Sequence, residues 1–301
     1  MLKYIKMSLA VGLFCLPLAA TAQVYPFTWY DNGFVPFHAS QVDPRFSYMM
    51  YVPLDYDENA DKHYPLIVLM HGTERGPHYY LEKNAEFAEE YDVILLAPLF
   101  PVGTHGGQDL ENYKLIDFKG TRYDLILLSM VDEVASKYNI DSNRFSLFGF
   151  SGGGHFAHRF FYLHPHRLTS VSVGAPGMVT LIDDERDWWV GTRDVYWKFN
   201  AKLDRGAMAQ VAVHMVVGSE DTNEWEDEIE PESVYNMGDS PGATYNFAGI
   251  NRIERLKTLK ANFEENGIAV QLEIVEGAGH DETYMFPAMW DFFIGAIPLR
   301  K

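Results

Sequence analysis

The sequence predicts an α/β domain: a mostly parallel central sheet with helices on both faces. Three observations carry that expectation. Short apolar runs of strand length alternate with segments of helical period from about residue 45 onward, the rhythm of parallel strands joined by crossover helices. A glycine cluster, GFSGGGHFAH at 149–158, stands where one such run gives way to a helical pattern. With 301 residues, 47% of them hydrophobic and 15% aromatic, the chain is large enough to bury one substantial core.

In order along the chain, RFSYMMYVP ending at Pro53 reads as a strand, and PLIVLM, 65–70, as a buried one. YLEKNAEFAEEY has helical period and leads into DVILLAP, 92–98, the next strand. The long helical pattern from Arg122, RYDLILLSMVDEVASKYN, precedes RFSLFGF, which runs from Arg144 into the glycines. LTSVSVGAP and QVAVHMVVG are two further strands. IERLKTLKANFEENG is an amphipathic helix stopped by Gly267; IAVQLEIVEG is a last strand before a C-terminal helix. Two stretches, 178–206 and 222–250, exceed what a crossover requires and are expected to be lid-like insertions or binding loops.

The first residues read as an export leader: Lys3 and Lys6, an apolar stretch from about Met7 to Ala19, then the small-x-small cleavage pattern Ala20-Thr21-Ala22. Residues 1–22 are therefore expected to be a signal peptide and 23–301 a single domain, secreted or periplasmic. The apolar stretch is shorter than the roughly 20 residues a membrane-spanning helix needs. The only cysteine, Cys15, falls within the leader, so the mature chain is expected to be held by packing alone. With 42 acidic against 24 basic residues and a formal charge of -18, the surface repels nucleic acid and anionic membranes.

Gly149-Phe150-Ser151-Gly152-Gly153 is G-x-S-x-G between a predicted strand and a predicted helix. A sharp turn there strains the serine and crowds its neighbours, so Gly149 and Gly153 must be small. A serine hydroxyl is a weak nucleophile; it needs a base, and the base needs a group that fixes its tautomer. On such a turn the expected chain order is serine, acid, histidine. VVGSEDTNE leaves one strand and delivers Asp221; VEGAGHDE leaves the last strand and delivers His280, the only histidine after Asp221. The acid is the less firmly fixed member, since Glu220, Asp183 and Asp184 also follow strands. For the oxyanion of a tetrahedral intermediate, the N–H of Gly152 opens the following helix. A second donor is expected from LMHGTERG, where the N–H of Thr73 follows His71-Gly72. A histidine base must be neutral, so activity is expected to fall as pH drops through about 6.5, the reference histidine value.

These residues together resemble the α/β-hydrolase family across nearly all of the mature chain. The likeness rests on the HG strand end at His71, on YNIDSNRFSLFGFSGGG with Asp141 and Arg144, on LHPHRLTSVSVGAPG, and on the G-x-x-D and G-x-G-H endings at Asp221 and His280. The chain is most similar to the secreted esterase branch that includes polyhydroxybutyrate depolymerases and feruloyl or acetyl-xylan esterases; peptidases of the prolyl oligopeptidase type are more distant. The resemblance implies hydrolysis of a small-molecule or polymer ester through an acyl-enzyme, with no metal or organic cofactor. A peptidase or acyltransferase using the same triad is the alternative, and a non-catalytic binding protein a third reading. The missing paired cysteines and the two insertions depart from many secreted relatives.

Weaker signals have two readings each. Trp188, Trp189 and Trp197, with Tyr196 and Phe199, form either an aromatic wall for a sugar or phenolic ester or, the preferred reading, rings that pack onto the body. His155, His158, His164 and His166 have no carboxylate or cysteine at metal-ligand spacing. The acidic loop fails as a calcium hand: from Asp221, Asn223 and Glu232 fit, but Trp225 takes the fifth position and Glu226 replaces the glycine.

Overall fold

In a computed structural model, residues 27–107, 109–224 and 246–297 are described. The leader and most of the second insertion lie outside them. Ten strands and seven α-helices follow in the order β1 (Gly33–Ala39), β2 (Ser47–Val52), β3 (Leu66–Met70), α1 (Pro77–Tyr91), β4 (Ile94–Leu99), β5 (Asp117–Phe118), β6 (Thr121–Arg122), α2 (Tyr123–Ala135), β7 (Phe145–Phe150), α3 (Gly152–Leu163), β8 (Leu168–Gly174), α4 (Val195–Phe199), α5 (Arg205–Met208), β9 (Ala212–Gly218), α6 (Arg252–Glu265), β10 (Val270–Val275) and α7 (Phe286–Ala296), counted among the described residues.

Eight strands form one sheet in the order β1-β2-β4-β3-β7-β8-β9-β10, and β5 pairs with β6 apart from it. From β4 to β10 every pairing is parallel. β1 and β2 join antiparallel at one edge. The central strands β3 and β7 are buried at every residue, as strands covered on both faces must be. The sequence pattern foresees every strand from β2 inward except the small β5–β6 pair, and misses β1. That strand carries Pro36, and its register with β2 shifts between Val35 and His38. A proline is tolerated at such an edge irregularity but blurs the alternation by which a strand is read.

The parallel strands end at one rim, where the glycines act. Ser151 sits between β7 and α3 at φ 53, ψ -114, a strained conformation for a residue with a side chain. Its N–H donates to the Gly174 carbonyl at 2.8 Å. A Cβ on Gly149 would lie 2.1 Å from the Gly153 carbonyl oxygen, and one on Gly153 2.2 Å from that of Met70. α3 can therefore start directly against β3 and β7 only because both positions lack side chains.

The first insertion packs onto the body. Met178, Val179, Ile182, Trp188, Trp189, Val190, Val195 and Phe199 belong to the buried core, and the Trp188 indole N–H donates to the Leu115 carbonyl at 3.1 Å. Residues 178–206 thus form a packed side layer.

Candidate active site

Three loops at the C-terminal ends of β7, β9 and β10 meet. His280 Nε2 lies 3.0 Å from Ser151 Oγ, and His280 Nδ1 lies 2.6 Å from Asp221 Oδ2. The alcohol, imidazole and carboxylate read from the sequence are thus in line. Their approach depends on Gly218: a Cβ there would lie 2.1 Å from the Ala278 carbonyl oxygen. With that space free, the two loops join through Glu220 N–H to Ala278 O at 2.9 Å and Gly277 N–H to Ser219 Oγ at 2.9 Å. The Phe150 ring lies 4.8 Å from the imidazole, centroid to centroid, and backs it.

Asp221 is buried. Burial works against its charge, but the His280 hydrogen bond and the Arg252 guanidinium together outweigh burial and hold the carboxyl below the usual carboxylate range. Arg252 Nη1 donates to Asp221 Oδ1 at 2.9 Å, so each of the two carboxylate oxygens has a partner among the described residues. Sequence reasoning missed this arginine. It stands one residue before the helical pattern read from Ile253, directly after the Asn251 cap of α6, and nothing local marks it as reaching back to Asp221.

Gly152 is the first residue of α3, so its N–H has no partner four residues back along the helix. Thr73 lines the cleft beside Ser151. The two proposed oxyanion donors belong to touching segments, since a Cβ on Gly152 would lie 3.0 Å from Thr73 Oγ1. The same Cβ would meet Tyr113 Oη at 2.6 Å and Lys114 Cε at 2.8 Å. Arg75, also absent from the sequence reading, pins this loop. Its guanidinium donates to the Thr73 carbonyl, to Phe100 O at 3.1 Å, to Leu110 O at 2.8 Å and to Asn112 Oδ1 at 3.1 Å.

Above Ser151 opens a cleft of about 470 Å³, lined in part by Thr73, Tyr79, Tyr80, Phe150, His280 and Glu282. None of the three tryptophans lines it: Trp188 and Trp189 are buried in the body, and Trp197 on α4 is 84% exposed. The rings therefore do not wall this cleft: Trp188 and Trp189 bury their surface against the core, and Trp197 stands exposed away from it. The four histidines after the elbow go to separate partners. His155 Nε2 accepts the Met178 N–H at 3.0 Å and His158 Nε2 that of Thr180 at 3.0 Å; His164 reaches Asp124 at 2.7 Å and His166 Asp204 at 3.1 Å. Of the acidic loop tested as a calcium hand, Asp221 faces His280, and Trp225, Glu226 and Glu232 lie outside the described residues.

A second serine–histidine contact lies inside the sheet. Ser172 Oγ and His214 Nδ1 are 2.8 Å apart, both fully buried, between β8 and β9. The other ring nitrogen is 4.0 Å from Glu273, beyond hydrogen-bond range, and burial lowers the pKa of His214 to about 4.

No family model matches the sequence. A stretch of 109 residues, 36% of this chain, is 28% identical to the bifunctional acetylxylan esterase/xylanase XynS20E of Neocallimastix patriciarum, and spans 15% of that protein's length. Among solved structures, the poly(3-hydroxybutyrate) depolymerase LpqC of Bordetella parapertussis superposes with a TM-score of 0.63 at 21% identity, covering 84% of this chain and 85% of that one. The poly(aspartic acid) hydrolase-1 of Sphingomonas sp. KT-1 gives 0.59 at 18% identity over 82% and 92%. The chain has the α/β-hydrolase fold. Within that fold the strand ends that carry Ser151, Asp221 and His280 form the rim where a parallel sheet places its ligands. Among the described residues no helix is long and apolar enough to cross a membrane.

Proposed function

We propose that the chain is a serine hydrolase that cleaves carboxylic esters through an acyl-enzyme. The observation that carries this reading is the position of His280, within hydrogen-bond reach of both Ser151 and the ionised Asp221 at the floor of an open cleft. Ser151 Oγ attacks the ester carbonyl while its proton passes to His280 Nε2. His280 Nδ1–H donates to Asp221, which fixes the tautomer and stabilises the imidazolium. The N–H groups of Gly152 and Thr73 take the oxyanion; one such donor is worth about 3 kcal/mol of barrier. Collapse leaves an acyl group on Ser151 as His280 protonates the departing alcohol. Water, deprotonated by His280, then attacks the acyl carbon, the bond to Ser151 Oγ breaks as the proton returns to it from His280, and the carboxylic acid leaves.

Ester cleavage is preferred to peptide cleavage because the relatives named above act on esters by their names, apart from the poly(aspartic acid) hydrolase. The test is a panel of acetyl, butyryl, feruloyl and hydroxybutyrate esters assayed with the native chain and with Ser151→Ala. Hydrolysis of at least one ester, lost in the variant, is expected. Cleavage of peptides alone, or transfer of the acyl group to an added alcohol in preference to water, would replace this reading. We further propose that the chain is exported, on the leader pattern of residues 1–22. A mature N-terminus at Gln23 is the expected result.

A further inference from the structure

The loop that carries Thr73 holds a strained residue. Arg75 sits at φ 62, in the left-handed region that glycine enters freely and a residue with a side chain does not. Its neighbour Gly76 has φ -104. The chain thus puts the arginine, not the adjacent glycine, where the backbone turns left-handed. Strain of this kind persists only where the surroundings over-determine it, and it gathers at functional sites.

Here the arginine's own side chain supplies that constraint. Its guanidinium donates to Phe100 O just past β4, and to Leu110 O and Asn112 Oδ1 of the following loop. Asn112 is fully buried, and its amide donates to Pro101 O at 2.9 Å, so the arginine's acceptors are fixed to one another. His71, at the other end of the Thr73 loop, is tied to the same segment. Its Nε2 accepts the Phe100 N–H at 3.1 Å, and its carbonyl accepts the Tyr113 hydroxyl at 2.9 Å.

What these bonds hold is one peptide plane. The Arg75 N–H donates to the Gly72 carbonyl at 3.2 Å, closing a turn with Thr73 and Glu74 at its centre. The Gly72–Thr73 peptide is trans, so the Gly72 carbonyl and the Thr73 N–H point opposite ways. Anchoring the carbonyl therefore aims the N–H out of the turn. Among the described residues nothing accepts that N–H. Gly72 also backs onto the elbow, where a Cβ would lie 3.8 Å from Ser151 Cβ. We propose that Arg75 is the positioning residue of the oxyanion hole: its side-chain clamp and its strained backbone hold the Gly72–Thr73 peptide so that the Thr73 N–H meets the charge developing on the ester carbonyl. The inference rests on the ester-hydrolase reading above and adds a residue to its machinery.

The test is a double-mutant cycle on the full chain, with the best ester of the panel above. Arg75→Lys keeps the charge but loses the fork of donors. It should lower kcat by about tenfold or more, short of the roughly 10²–10³ that deleting an oxyanion donor costs. KM should stay within about twofold, the pattern of an interaction made only in the transition state. The acid side of the kcat/KM profile should not move, because Asp221 and His280 are untouched. Thr73→Pro deletes the N–H itself at a turn position that accepts proline; in that background Arg75→Lys should cost less than about twofold. Arg75→Gln repeats the cycle without the charge, and if the proline chain does not fold, the kcat–KM split and the acid side decide alone. An unchanged kcat in both arginine variants, an equal loss in the proline background, a loss carried by KM, or a shifted acid side overturns the inference. Failure of both arginine variants to fold also overturns it, since the arginine then serves the fold. In each of these cases the hydrolase reading stands if the native chain cleaves an ester and takes up a fluorophosphonate on Ser151. A native chain that does neither removes both.

Discussion

Among the described residues two serine–histidine hydrogen bonds have nearly equal length, 3.0 Å between Ser151 and His280 and 2.8 Å between Ser172 and His214. They differ in everything around that bond. Ser151 is held at positive φ on a strand-to-helix turn at the sheet rim, over an open cleft; Ser172 is in mid-strand and fully buried. His280 has the Asp221 carboxylate on its second nitrogen, whereas the second nitrogen of His214 has no hydrogen bond among the described residues. Burial keeps His214 neutral and away from any substrate, so its contact with Ser172 serves the packing of β8 against β9. A hydroxyl beside an imidazole is thus not a nucleophile by itself. Access, strain and a buried carboxylate make the difference.

The comparison can be broken most sharply by removing each serine in turn. Ser151→Ala should lower ester hydrolysis by about five to six orders of magnitude, the scale seen when a triad nucleophile is removed. Ser172→Ala should leave turnover within about twofold and cost about 1–2 kcal/mol of stability for the hydrogen bond lost to a buried ring nitrogen. Steady-state kinetics and urea unfolding on the same preparations read both. Equal losses of turnover would erase the distinction.

Next in size is the carboxylate. Asp221→Asn keeps the shape but favours the wrong histidine tautomer, with an expected loss of about 10⁴ in kcat. Arg252→Gln should do less. It removes the cation that, with the His280 hydrogen bond, holds the Asp221 carboxyl low. The Asp221 charge is then less neutralised and favours the protonated, inactive form of the base, so the acid side of the kcat/KM profile moves to higher pH, with roughly a tenfold loss at neutral pH. Arg252→Lys should restore part of the shift, which a purely structural role for the arginine would not predict.

Much of this site is legible in the sequence because its signals are local. The glycines around Ser151 announce a crowded turn, and chain order singles out His280, while Asp221 shares its signal with Glu220, Asp183 and Asp184 and is chosen among them only by the geometry. The supports are not legible in the same way. Arg252 reaches Asp221 from 31 positions away, and Arg75 bonds carbonyls of two other loops; neither leaves a periodic trace. The tryptophans are readable two ways for a related reason. Composition shows that 178–206 is aromatic, but only the packing shows that Trp188 and Trp189 face the core. β1 escapes because an edge strand interrupted by Pro36 lacks the alternation of a half-buried strand.

A last expected effect, which leaves turnover untouched, sharpens the comparison from the other side, through stability. His214 has a pKa of about 4 in the folded chain because it is buried, against about 6.5 for an unfolded histidine. The unfolded chain therefore binds the extra proton first, and stability is lost as pH falls from about 6.5 to about 4, by about 3 kcal/mol from this residue. His71 and His158, each lowered to about 3 by burial, act in the same direction. Urea unfolding at pH 7.5 and 5 should show a smaller difference for His214→Gln than for the native chain, with ester hydrolysis at pH 7.5 unchanged. An unchanged pH difference would mean that His214 is not held neutral.

The most direct measurement is the site of covalent capture. The native chain, treated with an uncharged fluorophosphonate and digested, should carry one phosphonyl group on the peptide containing Ser151, with none on the peptide containing Ser172 and none at all in His280→Ala. Labelling at Ser172, or a native chain that stays unlabelled, would contradict the assignment of Ser151 as the nucleophile.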